Sequence, residues 1–288
     1  MQLSTQTEVI GTRLGEAKAV KLLCETGFDA LDYSMFGMYQ NDHVLNQPGY
    51  EKHLDQLMSI AASHSVRFNQ AHAPFPTYKE HDPEFNKKSL DRIKRSIEAA
   101  AYLGADCIVI HPIYLNQPEK MNALNFEIYH QLQPLCEKLN IRIALENLFA
   151  SDPETQKIIP GVCSTGEAFN AYLDELDRKW FVGCLDLGHC GLVGEQAAAM
   201  IRQMGPDRLK ALHVHDNDHH QDQHQVPFTG LMDWPAITKA LSDIDYSGDL
   251  TLEADRFFVK MPQVFLPTAA KFLHDVGRQL IAMINQTD

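Results

Sequence analysis

The sequence predicts an α/β protein folded as a single (β/α)8 TIM barrel spanning residues 1–288. Three observations carry this. Short apolar, β-branched runs alternate with amphipathic stretches through eight consecutive units. No linker or low-complexity segment interrupts them. The 288 residues, 44% of them hydrophobic, suffice for one large core. Parallel strands need crossovers of this kind, and eight such units can close a cylinder. An open doubly wound sheet is the alternative, but no strand is followed by a GxGxxG or GxxxxGK(S/T) phosphate loop.

The elements follow in order. The β-branched pair in Val9–Thr12 places the first strand there, followed by a helix over Glu16–Thr26. Ala30–Ser34 and Tyr50–His64 make the second unit, and Arg67–His72 with Pro83–Leu103 the third. Cys107–His111 precedes Asn122–Leu139, and Arg142–Glu146 precedes Thr165–Leu176. Phe181–Asp186 leads to Gly194–Met204, Leu209–His213 to Trp234–Ser242, and Leu250–Glu253 to Pro267–Asn285. Gly27, Gly104, Gly205 and Gly248 fall near helix ends, where a left-handed residue is often needed. Asp233 is placed to cap the seventh helix, with Trp234 packing at its start.

A net charge of −13 gives no general pull toward nucleic acid. Six cysteines without a CxxC pair, several in apolar runs, read as reduced thiols of a cytoplasmic protein. The start "MQLSTQTEVIG" lacks a signal peptide's basic and apolar regions, and no apolar run approaches the ~18 residues of a membrane span. The expectation is a soluble chain with a small-molecule partner and no membrane partner. Self-association is compatible with the sequence but not readable from it.

Polar residues sit at the strand ends: His72, His111, Glu146, Asp186 with His189 three residues on, His213, and Glu253. In a barrel these C-termini open on one face. One such residue alone is more simply a hydrogen-bonded rim residue. Several acids converging in one mouth would repel each other unless a cation compensates. Carboxylate and imidazole together suit Zn²⁺, Mn²⁺ or Co²⁺. A divalent metal cofactor is therefore expected, one ion or more.

The ordered motifs "QAHAPF", "VIHP", "ALEN", "LDLGH", "LHVHDND" and "TLEAD" resemble the sugar phosphate isomerase/epimerase family. That family lies in the xylose isomerase-like TIM barrel superfamily, which also contains endonuclease IV. The resemblance runs from about Val9 to Glu253. It implies a metal-dependent isomerase or epimerase acting on a sugar or sugar phosphate by proton transfer through an enediolate. In the ketose 3-epimerase branch one metal would be held by Glu146, Asp186, His213 and Glu253, with His189 binding substrate. Glu146 and Glu253 would then also serve as the catalytic acid–base pair. That branch's substrate arginine is absent, since His219 stands near its place.

The endonuclease IV branch, a phosphodiesterase acting on abasic DNA, uses three zinc ions. Its nine ligand types match His72, His111, Glu146, Asp186, His189, His213, Asp222, His224 and Glu253. The following "VPFTGLMDW" instead resembles sugar isomerase members. An inositol-type dehydratase and a metal-containing binding protein without turnover are further alternatives.

The histidine-rich stretch "LHVHDNDHHQDQH", residues 212–224, divides by position. His213 ends a strand and is a candidate ligand; His215 shares its side if the strand continues. Asp216 and Asn217 should begin a loop. His219 and His220 read as exposed. Asp222 and His224 stay open between a further metal or substrate contact and solvated loop. "MFGMY", residues 35–39, reads as a substrate wall or as lid packing, and "DRIKRS", residues 91–96, as a solvated helix face.

Overall fold

The computed structural model describes residues 1–286. Its strands are β1 (Leu3–Gln6), β2 (Ala30–Ser34), β3 (Arg67–His72), β4 (Cys107–Val109), β5 (Arg142–Glu146), a hairpin of β6 (Phe149–Ser151) and β7 (Ile158–Pro160), β8 (Phe181–Asp186), β9 (Leu209–His213) and β10 (Leu250–Leu252). Outside the hairpin, the strands are parallel and ordered β10-β1-β2-β3-β4-β5-β8-β9. The two outer strands meet through Val214: its amide donates to Thr251 O at 2.9 Å, and its carbonyl accepts from the Glu253 amide at 3.1 Å. The sheet is thereby closed into an eight-stranded barrel.

The helices are α1 (Glu8–Leu14), α2 (Glu16–Thr26), α3 (Glu51–Ser63), α4 (Pro83–Tyr102), α5 (Pro118–Leu139), α6 (Gly166–Asp174), α7 (Leu187–Leu192), α8 (Ala197–Arg208), α9 (Trp234–Asp243) and α10 (Leu266–Asn285). Side-chain caps start several of them. Asp82 accepts from the Phe85 amide at 2.9 Å, Thr165 from Ala168 at 3.2 Å and Asp233 from Ala236 at 3.1 Å. The regular part of α8 stops at Met204, because Gly205 takes φ 64° and Pro206 follows it. No helix among the described residues is long and apolar enough to cross a membrane.

One strand expectation is corrected. Val9–Thr12 lies in helix α1, with Ile10 buried, and the first strand is Leu3–Gln6. The reason lies in the barrel interior. Ser4 and Gln6 point into a lumen that is polar on this side, so within β1 only Leu3 is apolar and no apolar run marks the strand. Helices α1 and α7 and the β6–β7 hairpin were not anticipated either.

The lumen is two-sided. Alternate residues of β4, β5, β8 and β9 (Cys107, Val109, Ala144, Val182, Cys184 and Ala211) pack into a small apolar cluster. Those of β1, β2, β3 and β10 are polar and joined by hydrogen bonds. On β5, β8 and β9 the next inward positions after Ala144, Cys184 and Ala211 are Glu146, Asp186 and His213. The period of two that fills the lumen thus delivers these side chains to its C-terminal mouth.

Candidate metal centre

Glu146 Oε1 and Glu253 Oε2 each lie 3.2 Å from His213 Nδ1. One side-chain donor atom from each of Glu146, Asp186, His213 and Glu253 falls within 4.8 Å of all the others, and all four residues are buried. Around this quartet stand the other five residues singled out in the sequence. Glu146 Oε2 is 3.0 Å from His111 Nε2 and 3.4 Å from His72 Nε2. Asp222 Oδ2 accepts from His224 Nε2 at 3.0 Å, and Asp222 Oδ1 lies 3.8 Å from His189 Nε2. The structure thus brings all nine together.

Several of these atoms have no partner. Glu146 Oε2, His111 Nε2, His213 Nδ1 and Asp222 Oδ1 are buried without a hydrogen bond. A buried polar atom left unsatisfied costs about 1–3 kcal/mol. Unpaired oxygen and nitrogen donors aimed at one another form the donor set that a divalent cation takes. The residues present therefore fit the metal that the strand-end pattern predicts.

Neighbouring groups hold the quartet in place. The Asp186 carboxylate accepts from the His189 amide at 2.7 Å and from His215 Nε2 at 3.0 Å. His215, fully buried, thus buttresses an acid from behind. His189 Nδ1 donates to Asn147 O at 2.8 Å, which turns Nε2 toward the cleft. His224 Nδ1 donates to Glu253 O at 2.8 Å, and its ring stacks on His215 at 4.1 Å. Gln6 Nε2 donates to Glu253 Oε1 at 2.6 Å.

The field is uneven. Burial pushes the Glu253 carboxyl up; His213 and His224 oppose this, Glu146 and Asp186 add to it, and it stays above the ordinary glutamate range. Burial acts the same way on Glu146, but His213 and His111 outweigh it and hold that carboxyl well below the usual value. Burial raises Asp255 to about 6, against the opposing pull of His224.

The site opens into a cleft of about 540 Å³. Phe36, Phe75 and Phe149 form apolar walls, while Glu8, Asp255 and Arg256 supply charge at the rim. Of "MFGMY", Phe36 lies edge-on to His72 at 4.6 Å, Met35 and Met38 are core residues, and Tyr39 is exposed. Asp216 and Asn217, expected as loop starters, are fully buried, whereas His219 and His220 are exposed. Sequence reasoning missed Gln6, because it missed β1, and missed Asp255, two residues beyond Glu253. It also missed Asp32, a charged residue inside a buried strand.

Known proteins resemble this chain in sequence and in fold. Over 222 residues the chain is 31% identical to uncharacterized protein y4fM of Sinorhizobium fredii, covering 70% of this chain and 68% of that one. Over 190 residues it is 24% identical to fructoselysine 3-epimerase of Shigella flexneri, covering 64% and 65% of the two chains. The crystal structure of IOLI protein with a binding zinc atom matches at a TM-score of 0.74 and 17% identity, over 99% of both chains. Residues 20–269 match the family described as xylose isomerase-like TIM barrel. The closed parallel barrel, the strand-end side chains and that match, which takes in nearly the whole chain, agree: the chain belongs to the xylose isomerase-like TIM barrel family.

Proposed function

We propose that this protein is a divalent-metal-dependent isomerase or epimerase of a sugar or sugar derivative. The observation that carries the reading is the pair Glu146 and Glu253, each 3.2 Å from His213 Nδ1 at the floor of a cleft sized for a small molecule. Glu146, Asp186, His213 and Glu253 would hold the cation. When bound, it supplies a Lewis acid that polarises a carbonyl and so acidifies the neighbouring C–H.

The chain's own residues do the rest. β5 and β10 stand three strands apart around the barrel, so Glu146 and Glu253 flank the floor from different sides. One carboxylate takes the proton from carbon and the other carboxyl returns one. Return to the same carbon from the opposite face is epimerisation; return to the adjoining carbon is isomerisation. His189 Nε2, fixed by the Nδ1 bond to Asn147, is placed to bind a substrate hydroxyl. Phe36, Phe75 and Phe149 keep water from the reacting carbon. Similarity to fructoselysine 3-epimerase supports the reaction class, and similarity to the zinc-bearing IOLI structure supports zinc.

The test is Glu253→Gln, assayed by exchange of the substrate's carbon-bound hydrogen with deuterated solvent over a panel of ketoses and ketose phosphates. Exchange should fall by at least ~100-fold with the circular dichroism spectrum unchanged. An undiminished rate removes Glu253 from the chemistry.

A second reading rests on the five further donors. His72 and His111 at Glu146 Oε2, with His189, Asp222 and, once its Nε2 proton is given up, His224 beyond, give donors enough for more than one ion. That arrangement would suit a hydrolase of phosphodiesters, the endonuclease IV-like activity. Metal content decides between them. One ion per chain supports the isomerase; three ions with chelator-sensitive nicking of abasic duplex DNA support the hydrolase.

A further inference from the structure

We propose that Asp32 is a positioning residue: it fixes the proton of His213 on Nε2 and so presents Nδ1 as the metal donor. The inference rests on the reading of the strand ends as a metal centre. His213 and Asp32 are both fully buried. His213 Nδ1 faces the two glutamates, while Nε2 faces Asp32 Oδ2 at 3.5 Å. A neutral imidazole carries a single N–H. With that proton on Nδ1, the Nε2 lone pair would point at a buried carboxylate. With it on Nε2, Asp32 gains a donor and the Nδ1 lone pair points into the ligand cluster. Both His213 nitrogens are buried without a hydrogen bond, so a proton on Nε2 has the Asp32 carboxylate as its nearest acceptor while Nδ1 is left free for a cation.

A hydrogen-bond chain across the polar half of the lumen ends on Asp32 Oδ2 as an acceptor. Ser4 Oγ donates to Asn69 Oδ1 at 2.7 Å, and Asn69 Nδ2 to Thr251 Oγ1 at 3.2 Å. Thr251 Oγ1 donates to Gln70 Oε1 at 3.2 Å, and Gln70 Nε2 to Asp32 Oδ2 at 2.9 Å. Thr251 has one hydroxyl proton, so turning either amide round would in the end set an acceptor against an acceptor, at the limit the Gln70 oxygen against the Asp32 carboxylate. Every link points toward Asp32, and from there the next N–H in line belongs to His213.

The test uses Zn²⁺-loaded protein with ¹⁵N-labelled histidine. In the wild type, His213 should show a metal-shifted Nδ1 and a protonated Nε2. Zn²⁺ affinity, measured by chelator competition, should fall about 10–100-fold in Asp32→Asn. Gln70→Met, which breaks the chain without touching His213, should weaken Zn²⁺ binding less and keep the Nε2 proton. Metal on Nε2 in the wild type, or an Asp32→Asn affinity within about two-fold of wild type, overturns the proposal. If Asp32→Asn does not fold, the wild-type spectrum and Gln70→Met decide. A wild type that binds no Zn²⁺ defeats the metal centre itself; one that binds Zn²⁺ equally well without Asp32 defeats only the role of Asp32.

Discussion

Asp216 should be the most stability-critical residue of the histidine-rich segment. It lies three residues beyond the end of β9 and is fully buried. Its Oδ1 accepts from the Asn217 amide at 2.9 Å and the Met232 amide at 3.0 Å. Its Oδ2 accepts from the Trp234 indole at 2.8 Å. One carboxylate thus ties together both ends of the loop that carries Asp222 and His224 to the cleft. Asp216→Ala leaves these three donors without an acceptor. At about 1–1.5 kcal/mol each, the loss is about 3–4.5 kcal/mol. For a chain of this size that lowers the melting temperature by roughly 10 °C. Asp216→Asn keeps one oxygen for the two amides and turns an NH₂ toward the indole, so about 1–2 kcal/mol is lost. Urea unfolding followed by tryptophan fluorescence gives the energies, and hydrogen exchange at the Met232 amide localises them. An alanine variant within about 1 kcal/mol of wild type, or an asparagine variant as damaged as alanine, refutes the reasoning.

Three other outcomes follow. Tyr33 donates to Glu16 Oε2 at 2.6 Å; together with His53 it holds the Glu16 carboxyl below its ordinary value despite burial. A depressed folded pKa gives stability that is present above the unfolded pKa and lost as pH falls through the folded one. Tyr33→Phe should therefore cost about 1–2 kcal/mol near pH 7, with the gap to wild type closing in acid; a gap that persists below Glu16's titration contradicts this. All six cysteines are buried, and burial pushes Cys107 and Cys136 up to about 12. An aromatic disulfide reagent should find no reactive thiol in the native protein and six after denaturation. Zinc at ~100 times its dissociation constant should add about 2.7 kcal/mol of stability, a gain that Glu146→Gln abolishes. Calorimetry with and without chelator checks it, and a midpoint indifferent to zinc in the wild type contradicts the metal centre.

The strands plainest in the sequence are those buried on both sides by small or apolar residues, although β2, β3 and β10, with polar lumen positions, are also marked by their apolar outward-facing residues. In β5 and β8 the lumen positions Ala144 and Cys184 leave an apolar run up to the acidic residue at the end, and in β9 Ala211 does the same between Lys210 and His213. β1 fails that test. Ser4 and Gln6 face the polar half of the lumen, and a polar interior position looks the same in sequence as a solvated one. Val9 and Ile10 then take the strand's place by β-propensity, although tertiary packing puts them in α1. The strand-end set that contains the quartet stood out because its members share one structural address, the C-terminal strand end; the choice of four within it came from the family resemblance. Asp32 has no such address: it lies in the middle of "ALDYS", where a buried carboxylate needs a partner that a linear chain does not name. Asp222 and His224 stayed open in the sequence because loop residues have no period. Their placement depends on Asp216, whose own bonds span the loop.

The histidine-rich stretch is tied in the structure to the glycines of "LDLGHCG". Helix α7 starts on the cap made by Asp186, whose side chain accepts from the His189 amide. A Cβ at Gly188 would lie 2.0 Å from His215 Cε1, and one at Gly191 would lie 2.8 Å from His219 Cδ2. The two glycines are three residues apart and so share a helix face. Two histidine rings from the segment after β9 lie against that bare face. One of them is His215, and only this approach lets it reach Asp186. The residue between the two glycines that is turned into the site is His189, so one short helix carries a smooth back for one histidine and a functional front for another. A glycine three residues ahead of a glycine looks like a helix breaker in isolation. Here its absent side chain is the space that a distant histidine fills, a pairing of Gly188 with His215 that the linear sequence does not show.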